Sequence, residues 1–377
     1  MINFVMNDGN WGQCSFARFM LSVKNSEQYF VCSDRQYMDS YDSHDVFYVP
    51  LRIADTAEQR RSYITPDIVE RVKNNNMTIV ADCSFEGNMK YIRDWWHDFG
   101  EYYGFEPKQV IVLIGNDSAH LFPEYNVINV DLFELKAHHD LTQGIEPEVA
   151  GVDHKKFVFL NNQGKPHRLH MVLNLMERDL LKHSHWSLRH HNQPMTVDEM
   201  HSKLNHELFA QSHNFDNSSI AQLAEKVPFS PDEGSYSFVE HMVSDLHTTV
   251  EFAVVTETIY EKYEGRFLTE KTFKPLVNGT PFVICGQAGS IRKLRNRGFD
   301  VYDYIVDHSY DLIDDNCRAE AVADEVERLC SVDFAEYQSQ IEKSAKHNLS
   351  LLCDHARFDL DLKRIHDQIK YFISQNI

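Results

Sequence analysis

No apolar run in this 377-residue chain reaches the roughly 18 residues that a membrane-spanning helix needs. The opening residues, MINFVMNDGNWGQ, lack a basic leader and hold only a short apolar stretch, so they predict a buried first strand rather than a signal peptide. No CxxC pair occurs: Cys14, Cys32, Cys83, Cys285, Cys317, Cys330 and Cys353 stand singly and are odd in number. That usage predicts reduced thiols in a cytosol and no disulfide framework. Histidine is abundant at 21 residues, with His183, His185 and the pairs His138–His139 and His190–His191, but HExxH and Cys/His finger spacings are missing. Neither a metal site nor a bound cofactor is predicted. There is no GxGxxG fingerprint and no GxxxxGK[ST] loop, which lowers the dehydrogenase and kinase readings. Basic charge is short: 37 Lys and Arg against 57 Asp and Glu leave a net charge of -20. Such a field repels nucleic acid and anionic membranes and argues against backbone-driven DNA binding, while leaving room for a local basic groove.

What is present is alternation. The length predicts two domains. INFVM, QYFVCSD, MTIVADCSF, KQVIVLIGN and NVINVDLF read as strands, interleaved with helical WGQCSFARFMLSV, PDIVERVKNN and MKYIRDWWHDFGEYYG. The polar KAHHDLTQGIEPEVAGVDHK reads as a linker. A second set follows: KKFVFLNNQG, HWSLRHHNQ, the stretch ending in EFAVVTET, and PFVICG as strands, with helices at KPHRLHMVLNLMERDLLK, SIRKLRNRG and AEAVADEVERLCS. Residues 192 to 235 read as a polar insertion with short helices. Strands alternating with helices predict parallel sheets covered on both faces. The expected division is a first αβα domain over 1–145, a second over 146–333, and helices over 334–377 that pack back across both.

One stretch raises a physical question. FLTEKTFKPLVNGTPFVICG, residues 267–286, places Lys271 and Lys274 at the start of a helix, where the dipole disfavours cations. Thr269 is the expected N-cap, Glu270 falls in the first turn, Pro275 shortens the helix, and Gly279 with Pro281 beyond ends it. Lysines and backbone N–H groups at the carboxyl edge of a parallel sheet suit a phosphate, and the Glu270 carboxylate suits a ribose diol. The plain alternative is a solvated basic helix face.

The same residues resemble the nucleotide-sugar motif of the α1,3-fucosyltransferases and their phage and bacterial relatives: T-E-K, a helix, a small residue, Gly-Thr and Pro before a strand. FVFLNNQGKPHRLHMV is similar to that group's strand–N-x-x-x-K/R-P-H-R–helix element, FAVVTET to the strand before the motif, and GSIRKLRNRGFDVYDYIVDHSYD to the segment after it. The similarity spans roughly residues 155–315. It implies a GT-B fold, two Rossmann-like αβα domains facing a cleft with C-terminal helices. It also implies transfer from a UDP- or GDP-linked sugar without a metal. Carried over, Glu270 meets the ribose, Lys271 and Arg168 the diphosphate, and Glu257, Thr269 and Lys274 lie near the donor. Arg suits this role because its fork binds phosphate oxygens in pairs.

In that class the first domain holds the acceptor and a general base. Asp82, at the end of an apolar strand in TIVADCSFEGN, is the leading candidate, with Glu86 next and Asp8 third. A turn or cap role is the plain alternative for Asp82. The loop with Asn10, Trp11 and Gly12 weakly resembles one in the phage DNA β-glucosyltransferases, which puts a hydroxymethylated pyrimidine in DNA beside a glycan as acceptor. A non-catalytic nucleotide-sugar-binding module is the further alternative. Trp11 is a candidate stacking platform, whereas Trp95 and Trp96 on a helix read as core.

Overall fold

Short apolar runs rich in β-branched and aromatic residues form two wholly parallel sheets. The computed structural model describes residues 2–6, 29–32, 45–50, 56–62, 64–85, 87, 94, 100–118, 125–142, 144, 154–206, 209, 215–230, 242, 245–261 and 265–376. The chain divides into two units, Met1–His139 with Asp354–Ile377, and Asp140–Cys353.

In the first unit, β1 (Ile2–Met6), β2 (Tyr29–Cys32), β3 (Asp45–Pro50), β4 (Met77–Cys83), β5 (Val110–Ile114) and β6 (Asn126–Asn129) pair in the order β2-β1-β3-β4-β5-β6. Every residue of β4 and β5 is buried, as a parallel strand covered on both faces requires. Helices α1 (Ala57–Ser62), α2 (Pro66–Lys73) and α3 (Leu132–Thr142) belong here. Pro66 opens α2, where a missing N–H costs nothing, and Ile68 and Val72 bury against Ile79, Val110 and Val112.

Two expectations change. DVFYVP is a strand, β3, which the sequence reading passed over although Val46, Phe47, Tyr48 and Val49 are all buried. The first third of the expected linker is helical: KAHHDLT lies in α3, whose Leu132, Phe133, Leu135 and Ala137 are buried. The expected helix at 11–23 and most of the helix carrying Trp95 and Trp96 lie outside the described residues.

In the second unit, β7 (Lys155–Asn161), β8 (Ser184–Leu188), β9 (Val250–Thr256) and β10 (Phe282–Cys285) pair in the order β10-β9-β7-β8. The helices are α4 (Pro166–Glu177), α5 (Val197–Leu204), α6 (Asn217–Lys226), α7 (Asp245–Thr248), α8 (Glu270–Val277), α9 (Ser290–Asn296), α10 (Asp315–Cys330) and α11 (Gln338–Leu352). Phe157 stacks on Phe252 at 5.3 Å and Phe252 on Phe334 at 5.7 Å, which fills the core under β7 and β9. From β7 the chain runs to β8 on one side and later to β9 on the other. The strand order therefore reverses between β7 and β9, and in open parallel sheets the crevice outside the carboxyl ends at that point is where ligands sit.

The last helix, α12 (His355–Asn376), returns to the first unit, where the buried Glu134 pairs with Arg357 and His138 stacks on Phe358 at 4.0 Å.

Candidate anion-binding site

The reversal point is built from three segments: the end of β7 with the first turn of α4, the residues after β9, and the first turn of α8. Asn161 ends β7 and accepts a hydrogen bond from Thr256 at the end of β9, which ties the two strands together. Pro166 opens α4 with Lys165 as its N-cap, and Arg168 stands in the first turn. Lys165 Nζ donates to the Thr258 carbonyl at 2.7 Å, and His167 Nε2 meets the Glu257 carbonyl at 2.9 Å. Burial, with the Arg168 charge next, holds the His167 ring well below its ordinary pKa, so it is neutral and Nε2–H donates. Its ring stacks on Tyr260 at 5.1 Å.

Arg168 is 3% exposed. One of its terminal nitrogens donates to the Glu257 carbonyl at 3.2 Å and the Thr256 carbonyl at 3.5 Å, and its Nε has no partner. Among the described residues the guanidinium meets carbonyl oxygens rather than a carboxylate in direct ion-pair contact. Burial pulls its pKa down to about 10, with Glu257 and Glu270 acting against that, so it stays cationic at neutral pH. A buried cation without a bonded counter-charge is costly unless an anion joins it.

Glu257 organises the loop after β9. It is 1% exposed, and its Oε1 accepts from Thr269 N at 2.9 Å and Thr272 Oγ1 at 2.6 Å. Its Oε2 accepts from Thr269 Oγ1 at 2.7 Å and Thr258 N at 3.0 Å. The carboxylate thus fixes the start of α8 against β9. Gly286 lets β10 approach it, since a Cβ there would lie 3.0 Å from Glu257 Cβ. Sequence placed Glu257 near a donor; its lone pairs are spent on the scaffold.

Thr269 caps α8 as expected, accepting from Lys271 N. The N–H groups of Thr272 and Phe273 bond the Thr269 carbonyl, so beyond Glu270 the first turn offers an anion chiefly the charge of its side chains. Lys271 Nζ lies back over the helix start, 3.3 Å from Thr258 Oγ1, 3.3 Å from Thr269 Oγ1 and 2.5 Å from Glu270 Oε1. Burial would push the Glu270 carboxyl up, but the charge and hydrogen bond of Lys271 and the charge of Lys274 outweigh it and hold it below the usual carboxylate range. This offsets the unfavourable dipole at Lys271: an anionic neighbour and a capping hydroxyl share the same end. Lys274 serves Glu270 from one turn on and also lies near His247. Arg168 and Lys271 converge on one short segment, Glu257 and Thr258.

No family model matches the chain, and no curated protein does. Among solved structures it is similar to an α1,3-fucosyltransferase at 10% identity and a TM-score of 0.45, over 99% of this chain and 90% of that one.

In the first unit, Asp82 is the last residue but one of β4 and is buried. Its Oδ2 accepts from the Tyr48 hydroxyl, and its Oδ1 accepts from Ser84 N at 2.9 Å and Ser84 Oγ at 2.5 Å. Asp8, Asn10, Trp11, Gly12 and Glu86 lie outside the described residues. Among the described residues no cluster of three His, Cys, Asp or Glu is set to hold a metal, and no helix is long and apolar enough to cross a membrane. The sequence reading missed Lys165, His167 and Thr258. The K-P-H-R run held two of them, but only the strand order shows that they face the end of β9.

Proposed function

We propose that the chain is a glycosyltransferase that moves a sugar from a nucleotide-diphosphate donor to an acceptor hydroxyl with inversion. The observation that carries this reading is Arg168: a buried guanidinium with an unpartnered Nε at the reversal point of a parallel sheet, beside Lys271 on the next loop. Two cations converging there suit a pyrophosphate. The resemblance of T-E-K and K-P-H-R to the fucosyltransferase elements supports it further. In the reaction the acceptor oxygen bonds to the anomeric carbon as the bond to the diphosphate breaks. The bonding pair leaves with the diphosphate, where Arg168 and Lys271 stabilise it, and Asp82 takes the acceptor proton.

Calorimetry with UDP, GDP and CDP tests the donor site. The wild type binds one of them, and Arg168→Lys, which keeps charge but not the fork, weakens that binding at least tenfold. Equal binding by wild type and Arg168→Lys overturns the reading. Transfer to hydroxymethylated-pyrimidine DNA or to oligosaccharides then identifies the acceptor. A second reading, a binding module without turnover, is favoured by Asp82 itself, whose two oxygens already serve Tyr48 and Ser84.

A further inference from the structure

The turn after β8 is held in left-handed backbone at three successive residues, with φ of 41° at His190, 57° at His191 and 62° at Asn192. Each costs about 1–2 kcal/mol for a residue with a Cβ, Asn the least. The turn is tied to the end of β7: Arg189 N donates to the Asn161 carbonyl and His191 N to the Asn162 carbonyl, both at 3.0 Å. Gly164 makes the approach possible, because a Cβ there would lie 2.2 Å from Met195 Cε and 3.3 Å from His190 Nδ1. Strain of this kind gathers where a side chain has to be presented.

The side chain presented is His190. Its Nε2 lies 3.4 Å from Glu199 Oε1 on α5. Burial, opposed by Glu199 and helped by Lys203 and His191, holds the ring below its ordinary pKa, so it is neutral. A carboxylate facing Nε2 keeps the proton there, which leaves Nδ1 as a bare acceptor. That Nδ1 is buried without a partner, as are Arg168 Nε and Asn161 Nδ2 nearby along the sheet edge. The thioether end of Met195 shares the spot beside Gly164, and an unbranched thioether repacks easily to admit a ligand.

Sheet order sets the ligand's direction. In the nucleotide-sugar reading the pyrophosphate lies between β7 and β9, and a ribose at Glu270, which the resemblance implies, sends the glycosyl end across β7 toward β8, because the strands run β10-β9-β7-β8. We infer that His190 Nδ1 accepts a hydrogen bond from a hydroxyl of the transferred sugar, making His190 a specificity-determining residue. This rests on the nucleotide-sugar reading of the site.

The test compares affinity for a nucleoside diphosphate with affinity for its hexosyl ester, UDP against UDP-glucose and GDP against GDP-fucose. His190→Ala removes the acceptor. His190→Asn restores an oxygen near Nδ1 and tolerates the left-handed backbone. The expected result is unchanged diphosphate affinity in both variants, with the sugar's increment cut about five- to tenfold in His190→Ala, as for one lost hydrogen bond, and largely kept in His190→Asn. Melting curves check that both variants fold. An increment retained in His190→Ala, or diphosphate affinity lost along with it, overturns the inference. Failure of the wild type to bind any diphosphate sinks the parent reading and this one with it.

Discussion

Glu257 and Thr269 are joined twice: the carboxylate accepts the threonine amide through Oε1 at 2.9 Å and its hydroxyl through Oε2 at 2.7 Å. Thr258 N also donates to Oε2, so each oxygen faces a backbone N–H. Glu257→Gln keeps the shape but sets an amide NH2 against one of those N–H groups, whichever way it turns. A buried donor left without an acceptor costs about 1–3 kcal/mol. The expected outcome is a melting temperature several degrees lower, at roughly 2–4 °C per kcal/mol for a unit of this size, together with weaker diphosphate binding. A variant that melts with the wild type removes Glu257 from its organising role.

Gly279 ends α8 in left-handed backbone at φ +68°. Thr280 N bonds the Pro275 carbonyl at 2.9 Å and Gly279 N the Leu276 carbonyl at 3.4 Å, a Schellman ending. A Cβ at this position would lie 2.8 Å from Ala345 Cβ on α11. Gly279→Ala therefore meets two costs, about 1–2 kcal/mol for the backbone and a similar overpacking term. Only the second involves Ala345. In a double-mutant cycle, Gly279→Ala with Ala345→Gly is expected to be more stable than the sum of the two changes by about 1 kcal/mol. Strict additivity in urea melts would show that the two residues do not press on one another.

Burial, with the charge of Lys274 next, holds His247 down to about 3. In the unfolded chain a histidine titrates near 6.5. Below that pH the unfolded state binds a proton that the folded state refuses, so stability falls as the pH drops from about 6.5 toward 3. The slope from this residue is at most about 1.4 kcal/mol per pH unit. His167 and His308, also held down chiefly by burial, act in the same direction. His247→Gln removes one such group, and its stability relative to the wild type is expected to improve steadily between pH 7 and 5. Parallel stability curves for the two proteins would refute the assignment.

Period and punctuation made much of the second unit legible. Thr269, Gly279 and Pro281 bound α8 because each fixes a local conformation whatever surrounds it, whereas Pro275, expected to shorten the helix, lies inside it. The β4 and β5 runs read as buried strands because parallel central strands are apolar on both faces. β3 did not, since DVFYVP opens on an aspartate and ends in a proline that masks it. KAHHDLT read as linker because its charges hide the apolar side of α3; Arg357, more than 200 residues away, neutralises Glu134 there. The scaffold role of Glu257 was invisible for the same reason. A carboxylate beside T-E-K has the same letters whether it faces a ligand or two backbone amides, and only the packing of β9 against α8 decides.

Asp82 is the group on which turnover is expected to depend. Its Oδ1 accepts twice from Ser84, and its Oδ2 accepts from Tyr48, whose hydroxyl can also accept. Asp82→Asn can therefore keep its oxygen on Ser84 and turn its NH2 toward the Tyr48 oxygen, so the fold loses little, within about 1 kcal/mol. What it loses is the capacity to take a proton. General-base catalysis contributes about 10²–10⁴-fold, so transfer is expected to slow by that factor while diphosphate affinity, set in the second unit, is unchanged. Tyr48→Phe is the control: it strips one donor from the carboxylate, leaves its capacity to take a proton, and keeps turnover. Full activity in Asp82→Asn would assign the proton to another group and leave Asp82 as a strand-end anchor for Tyr48 and Ser84.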